Sequence, residues 1–513
     1  MAVATLIRPP SVVGRYALTL NKTPPISVAY LAGSLTAAGH EVQVIDALGE
    51  ALSTVHAAFR PDILINGLTN DQIVARIRPD TDLVGISCLF SHEWPVIREL
   101  IAAIARRLPS VAIVLGGEHA TAVPELCLEE APDLAACALG EGEETVVELA
   151  DAVAKGRALS HVAGLVYRSA SGPMRSPDRQ RIRAVDEIPL PRWDLTPIEP
   201  YLAGGFSFGV DRGRTMPLLA TRGCPYRCTF CSSPQMWTTR YATRHPRLVV
   251  DEIEDYIRRY AIDNIDFYDL TAVVKKDWIL EFCGELRRRR LKILWQLPSG
   301  TRSEALDETA LRAMYETGCR NVSYAPESGS TRTLRAIQKK VDLDRLAASM
   351  QAAVGLGLNL KANILIGFPD ETTGDLRDTL RFVARMAWIG VHDVSVWTFS
   401  PYPGSELFAR LRAEGRLPRL DDDYYASLLS YSDVANSVSY AANLDSKQLH
   451  RYRLAGLLSF YAISFLTRPA RPLRSLYNIA TRRYESRMEM SLGNLLRRLR
   501  AARRRPTSLV VPR

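Results

Sequence analysis

The chain has 513 residues, 47% of them hydrophobic and 24% charged. This length exceeds one ordinary core and points to two or three domains, and the composition excludes wholesale disorder. The net charge of +9 belongs to the tail: from Arg468 onward 13 arginines stand against Glu485 and Glu489, an excess of 11 that leaves −2 for everything before it, so a global nucleic-acid binder is excluded.

The first part, residues 1–155, alternates strand and helix signals. A short strand is expected at Tyr16–Leu20. Pro24 and Pro25 then open an apolar helix, Ile26–Ala38, ended by Gly39. Strands follow at Glu41–Asp46, Asp62–Ile65 and Leu83–Cys88, the last a continuous apolar run of buried type. Helix Trp94–Leu108, strand Val111–Leu115, a weaker strand Leu134–Leu139 and helix Glu144–Ala154 complete a doubly wound parallel sheet. Such sheets bind ligands at the carboxyl ends of strands, where Gly116-Gly117-Glu118 and Gly140-Glu141-Gly142 lie. Residues 156–214 read as a linker holding a small hairpin (Gly164–Pro173) and then an extended stretch with Pro189, Pro191, Pro197 and Pro200.

Residues 215–420 give a second series. Strands are expected at Met216–Thr221, Asn264–Tyr268, Lys292–Leu297, Asn321–Ala325, Asn359–Ile366 and Asp393–Thr398, with helices between them. Six strand–helix steps fall short of the eight of a complete barrel, so a partial barrel is predicted. Residues 421–513 are helical and end in the arginine-rich tail. No apolar run reaches the roughly 20 residues that cross a bilayer; the longest, Leu454–Leu466, is broken by Gly456, Ser459 and Ser464. No secretory signal is read at the N-terminus, and a reducing cytoplasm suits the eight cysteines better than a disulfide framework.

Three cysteines sit within eight residues: Arg222-Gly223-Cys224-Pro225-Tyr226-Arg227-Cys228-Thr229-Phe230-Cys231 contains C-x3-C-x2-C. Three thiolates on one tight loop are soft ligands for iron or zinc. Zinc usually asks for a fourth ligand at matched spacing, and no second CxxC or HxxxH follows. A four-iron cluster usually takes four cysteines, so three would leave one iron open to a small molecule. The alternative is a closed zinc or cluster site completed by a distant cysteine. Cys88, Cys127, Cys137, Cys283 and Cys319 read instead as small buried hydrophobes.

The loop after the first strand of a βα series resembles the radical S-adenosylmethionine superfamily. The resemblance implies a 4Fe-4S cluster on Cys224, Cys228 and Cys231 whose fourth iron binds S-adenosylmethionine. Reductive cleavage would then give a 5′-deoxyadenosyl radical that takes a hydrogen atom from substrate, with electrons from an external flavodoxin- or ferredoxin-type donor. Phe230 resembles the family's aromatic beside the adenine. Asp266 to Thr271 loosely matches an acidic motif after the second strand. Glu327, Ser328, Gly329 and Ser330 resemble an element whose glutamate approaches S-adenosylmethionine, and Asn363 to Pro369, with Ile364 and Gly367, resembles the adenine-holding strand. The turn Pro401-Tyr402-Pro403-Gly404 resembles the one that closes the barrel in this subgroup. No catalytic side chain is assigned.

In that superfamily a doubly wound domain before the barrel resembles a cobalamin-binding domain. Pro24-Pro25-Ile26, Gly39-His40-Glu41, Gly116-Gly117-Glu118-His119 and Gly140-Glu141-Gly142-Glu143 carry the likeness. Gly116, Gly117, Glu118, Gly140 and Glu141 are the implied cofactor-binding set, since glycines let a backbone approach a flat corrin. No D-x-H-x-x-G occurs, so the usual lower-ligand histidine is missing; His92 and His119 are tempting substitutes but read first as loop or capping histidines.

The expected fold is therefore α/β: an N-terminal doubly wound, cobalamin-binding-like Rossmann-type domain, a partial (β/α)6 barrel and a basic helical C-terminal region. The closest subgroup contains anaerobic magnesium-protoporphyrin ester cyclase-like proteins, hopanoid-modifying enzymes and P- or C-methyltransferases. The leading reading is methylation of an unactivated carbon or a phosphorus centre of a small or lipid-like molecule, in a cavity between the domains that Tyr268, Trp295, Trp397 and Tyr402 are candidates to line. Radical cyclisation, oxidation or rearrangement is the second reading, and a non-catalytic iron–sulfur or corrinoid module the third. Leu492, Leu495, Leu496 and Leu499 at helical spacing, amid Arg497, Arg498, Arg500 and Arg503–Arg505, give the tail three roles: peripheral membrane contact at the inner face, an acidic partner, or a frayed end.

Overall fold

The computed structural model describes residues 1–504, apart from residues 16, 18–21, 302–304 and 432–436; of residue 431 and residues 498–504 it describes the backbone only. Seven strands build the first sheet: β1 (Val3–Arg8), β2 (Glu41–Asp46), β3 (Leu83–Ser87), β4 (Ala112–Gly116), β5 (Ala136–Ala138), β6 (Leu165–Ser169) and β7 (Gly172–Arg175). Their spatial order is β7-β6-β5-β4-β3-β1-β2. The first five are parallel, and β6 and β7 add an antiparallel edge. The winding reverses between β1 and β3, and the carboxyl ends at such a switch point are where an open α/β sheet holds its ligand.

One strand adds to those expected and another is corrected. The first strand of the sheet is Val3–Arg8; the strand expected at Tyr16–Leu20 lies, apart from Ala17, outside the described residues. Val3–Arg8 pairs on both sides, with β2 and β3, so its side chains are buried on both faces and its pattern is a short apolar run, easily passed over. The strand expected at Asp62–Ile65 is Ile63–Asn66, and it leaves the main sheet to pair antiparallel with Ser11–Gly14 and Val55–Ala57.

The linker reading of residues 156–214 also fails. Its hairpin is β6 and β7, joined to β5 through Ala136–Tyr167 pairing. Its proline-rich part is packed structure: Trp193 is buried and donates to the Tyr256 hydroxyl at 2.8 Å, and Ile198 and Leu202 of helix Ile198–Gly204 enter the core of the second domain. Proline spacing hid this because the buried groups are single side chains without periodicity.

Six parallel strands in sequence order form the second sheet: β8 (Thr215–Leu218), β9 (Asn264–Phe267), β10 (Leu294–Thr301), β11 (Cys319–Glu327), β12 (Asn359–Ile366) and β13 (Asp393–Thr398). Each is followed by a helix or a helical turn. The side chains alternate. Ile265, Phe267, Trp295, Tyr324, Ile364 and Val396 pack outward under the helices in one apolar core. The opposite face is polar and is closed below by two chain segments. Gly209 N donates to Asp266 at 2.7 Å, Val210 N to Gln296 at 3.0 Å, and the Arg487 guanidinium to Gly209 O at 2.8 Å, while Arg487 N donates to Asp393 at 2.6 Å.

The two domains meet along a buried seam. Arg222, which leads into the cysteine loop, pairs with Glu143 at 2.6 Å, its guanidinium 5.1 Å from the Tyr30 ring centre and 5.8 Å from that of Trp237. Arg181 pairs with Glu141 at 2.6 Å, and Arg98 with Asp422 at 3.0 Å. Tyr424, Tyr425 and Leu428, beyond the barrel, enter the core of the first domain.

Because both partners are buried, removing one strands the other charge in a low-dielectric site. Arg222→Met or Glu143→Gln is expected to cost about 3–5 kcal/mol, read as a fall in Tm. The double replacement Arg222→Met/Glu143→Leu is expected to recover most of that loss; equal loss in all three would show that the pair is not the constraint.

Candidate active site

Strand β8 ends at Leu218, and Thr221–Arg222 then pairs antiparallel with Ala242–Thr243, so the loop between them is pinched at its base. Gly223 sits at the pinch with φ +80°, where a Cβ would collide with the Arg240 carbonyl oxygen. Asp269, fully buried, accepts hydrogen bonds from Ala220 N at 3.1 Å and from the Thr221 hydroxyl at 2.5 Å; burial holds its carboxyl up to about 6. It positions the backbone that leads to Cys224. Asp266, also held up to about 6 by burial, serves the barrel floor instead. The two acids of the expected motif thus do different work.

Cys224, Cys228 and Cys231 are all half-buried on this loop. Cys231 N donates to Cys228 O at 3.1 Å, Ser233 N donates to Cys231 Sγ at 3.4 Å, and Cys224 Sγ lies 3.6 Å from the Thr271 hydroxyl. Among the described residues no three His, Cys, Asp or Glu side chains gather as ligands of one ion. A cubic cluster asks for something different: thiolates spread over separate corners, with amide donors to sulfur. Burial pushes the Cys231 thiol up to about 12, so the thiolate needs a cationic centre beside it, which cluster iron supplies. The donor set fits an iron–sulfur cluster.

Phe230 packs against Phe368 with ring centres 5.7 Å apart, and Leu365 joins the same apolar group. Ile364, the expected neighbour of adenine, points the other way, fully buried beneath the helices; alternation along β12 puts Leu365 on the Phe230 side. Glu327 ends β11 with φ +65°, a conformation a non-glycine residue holds only under constraint, and its carboxylate receives Lys339 Nζ at 2.9 Å. Ser328 is not turned to the same space: its hydroxyl is buried 3.0 Å from that of Thr379. Gly367, φ +88°, gives its amide to Glu371 Oε2 at 2.5 Å, and Phe368 N reaches the same oxygen at 3.3 Å. Lys339 and Glu371 were missed by sequence reasoning. Only Glu371 left a signal, an acid four residues after the turn glycine.

Of the cofactor set on the first domain, Glu118 and Gly140 face the cysteine loop and its helix, and Glu141 faces the segment between the domains. Glu118 receives the Ser232 hydroxyl, and burial raises its pKa; Gly140 has φ +71° and lies near Met236 O; Glu141 is engaged by Arg181 and by Ile182 N at 2.9 Å. Thr121 ties the same place, its hydroxyl 3.2 Å from Met236 Sδ. Gly117, φ +110°, lets its backbone lie against Cys88, where a Cβ would come to 2.5 Å from the carbonyl oxygen, and Gly116 faces open space. Leu89 and Phe90 stand exposed directly after β3, beside the switch point. An apolar shelf with bare glycine backbone fits a flat corrin. His119 is buried between Trp94 and Tyr425, its Nδ1 2.9 Å from the Ser91 hydroxyl, and His92 lies 3.4 Å from the Tyr402 hydroxyl. Burial pushes both imidazoles down to about 3, so both are neutral packing groups. Trp295 is in the helix-side core, whereas Tyr268 and Trp397 are on the inner face of the barrel.

Glu371 carries a pH signature. Burial raises its carboxyl to about 7 despite two amide donors. Between the ordinary glutamate range and pH 7 the folded chain keeps a proton that the unfolded chain has released, so this group's contribution to stability falls as pH rises through that window. Glu371→Gln is expected to flatten that part of a Tm-versus-pH curve; an unchanged slope would assign the proton elsewhere.

Comparison with known proteins agrees with this geometry. Residues 16–150 match the B12 binding domain family and residues 218–383 the Radical SAM superfamily. An uncharacterized methyltransferase of Pyrococcus horikoshii is 31% identical over 442 residues, 85% of this chain and 88% of that one. The anaerobic magnesium-protoporphyrin IX monomethyl ester cyclase of Rubrivivax gelatinosus is 29% identical over 76% of this chain and 66% of its own length. The fold matches that of the cobalamin-dependent S-adenosylmethionine radical enzyme OxsB with a TM-score of 0.69 at 17% identity, over 98% of this chain and 71% of that one. The cysteine loop, the six-stranded partial barrel and the switch-point sheet in front of it therefore have one explanation: the chain belongs to the cobalamin-dependent branch of the radical S-adenosylmethionine enzymes, with a 4Fe-4S cluster, S-adenosylmethionine and cobalamin as its cofactors.

Proposed function

We propose that this enzyme is a methyltransferase acting on an unactivated carbon, or a phosphorus, of a small molecule held between the barrel and the first domain. The observation that carries the reading is the seam itself: Ser232, beside Cys231, bonds Glu118, and Met236 meets Thr121 and Gly140, so the cluster loop and the corrin shelf share one wall. When bound, the cofactors supply hydrogen abstraction and a methyl group. The chain's own work is to hold them at one cavity and keep water out. Cys224, Cys228 and Cys231 hold the cluster, and Glu327, Gly367, Leu365 and Phe230 border the S-adenosylmethionine side. Gly116, Gly117, Leu89 and Phe90 border the corrin, and Glu118, Gly140 and Glu141 brace that border from behind. Tyr268 and Trp397 face substrate, and an external flavodoxin- or ferredoxin-type protein delivers electrons. The likeness to the Rubrivivax cyclase favours a second reading, radical chemistry without methyl transfer.

Anaerobically reconstituted enzyme, given a strong reductant and methyl-labelled S-adenosylmethionine, distinguishes them. Methyltransferase chemistry is expected to yield both S-adenosylhomocysteine and 5′-deoxyadenosine, with label leaving the cosubstrate; 5′-deoxyadenosine alone would decide for the second reading. Replacing Cys224, Cys228 and Cys231 together with alanine is expected to abolish cluster absorbance and reduce cleavage to background.

A further inference from the structure

Among the described residues half of the large exposed apolar side chains belong to Trp388 and to the helices after residue 445. They are not scattered. Helix Ala470–Thr481 is built inside out: its buried residues are Ser475 and Asn478, which bond Glu489, whereas Leu473, Leu476 and Tyr477 face solvent at helical spacing, Leu473 70% exposed. In the preceding helix, Ser446–Thr467, Gly456 and Phe460 face inward, while Leu458 and Leu466, 70% and 82% exposed, face outward. Arg468 joins the two helices and donates to the carbonyls of Ala387, Trp388 and Ile389, which ties the end of the helix carrying Trp388, 71% exposed, to the junction that follows Leu466. Leu492 and Leu496 of the last helix are exposed as well.

Acids do lie on or beside the helix that carries Trp388, where Asp378 pairs with Arg381 and Asp344 with Arg385, but along the C-terminal helices themselves the charge is mostly positive. From Arg468 to Arg497 the acids are Glu485 and Glu489. Glu489 is buried against Ser475 and Asn478, and Glu485 pairs with Arg474 at 2.5 Å. Arg482 and Arg483 are exposed beyond the helix end. A two-fold contact between copies would set arginine against arginine. An apolar stripe followed by the exposed Arg482 and Arg483 is what an anionic bilayer surface takes. We propose that helix Ala470–Thr481, with Trp388 and Leu466, docks the enzyme on the headgroup layer of an anionic phospholipid membrane, without crossing it. Among the described residues no helix is long and apolar enough to span a bilayer. This differs from the expected tail helix at Leu492–Leu499, whose outer part lies beyond the described side chains.

The full-length enzyme is mixed with phosphatidylcholine vesicles, with and without about 30% phosphatidylglycerol, and sedimented. Binding is expected only with the anionic lipid and is expected to weaken with salt. Leu473→Glu/Leu476→Glu is expected to lower it roughly tenfold or more, with Tm and cluster content unchanged because neither side chain is buried. Arg482→Ala/Arg483→Ala is expected to reduce the salt dependence. Failure to sediment with either lipid, binding unchanged by the leucine variant, or a dimer in light scattering that the leucine variant dissolves would each overturn the proposal.

Discussion

Taking a guanidinium and a carboxylate out of water costs several kcal/mol for each ion, a loss recovered only when the geometry between them is good. Arg222 and Glu143 lose their water together, at the one place where the chain passes into the cysteine loop and where the first domain turns back from its sheet. The rings of Tyr30 and Trp237 flank the guanidinium. Because Trp237 belongs to the short helix that follows Cys231, the pair sets more than an interface. It sets where the three thiols stand relative to the carboxyl ends of the first sheet. Arg181–Glu141, Ser232–Glu118 and Thr121–Met236 reinforce the same wall. Residues that an isolated domain would spend on a ligand are spent on alignment.

The barrel shows the same economy in its polar groups. A six-stranded sheet that does not close would leave Asp266, Gln296 and Asp393 buried without partners, at a cost of a few kcal/mol each. The chain before β8 and the chain after Tyr484 supply backbone amides to all three. Both segments cover the inner face from below. At the carboxyl ends of the strands, Glu327 is held at positive φ with Lys339 on its carboxylate, and Glu371 holds the turn at Gly367. The lip of the barrel is rigid for reasons independent of any bound molecule.

The arginines of the C-terminal region divide by what they touch. Arg468 and Arg471 cap the carbonyl end of helix Thr373–Ile389, where the helix dipole favours a cation, and so are structural. Arg482 and Arg483 are exposed. The charge count alone gives no means of separating these roles. The leucines around them likewise split between packing and exposure by the angular position of each on its helix.

Local patterns settled much. Three cysteines at fixed spacing, glycine turns at strand ends and repeated strand–helix alternation specify the cluster loop, the two parallel sheets and their order, since each depends on residues close in the chain. The strands Asn359–Ile366 and Asp393–Thr398 were legible to the residue because alternating apolar side chains are bounded by turn signals. Tertiary structure decided what depends on partners far apart in sequence. It decided that Val3–Arg8 is an inner strand paired on both sides, that residues 165–175 complete a sheet, and that Ile364 faces the helices while Leu365 faces Phe230. It also decided that Glu118 and Glu141 brace a seam and that a helix with buried serine and asparagine turns its leucines outward. Spacing along a chain reveals which face of an element is apolar; only packing reveals whether that face was covered.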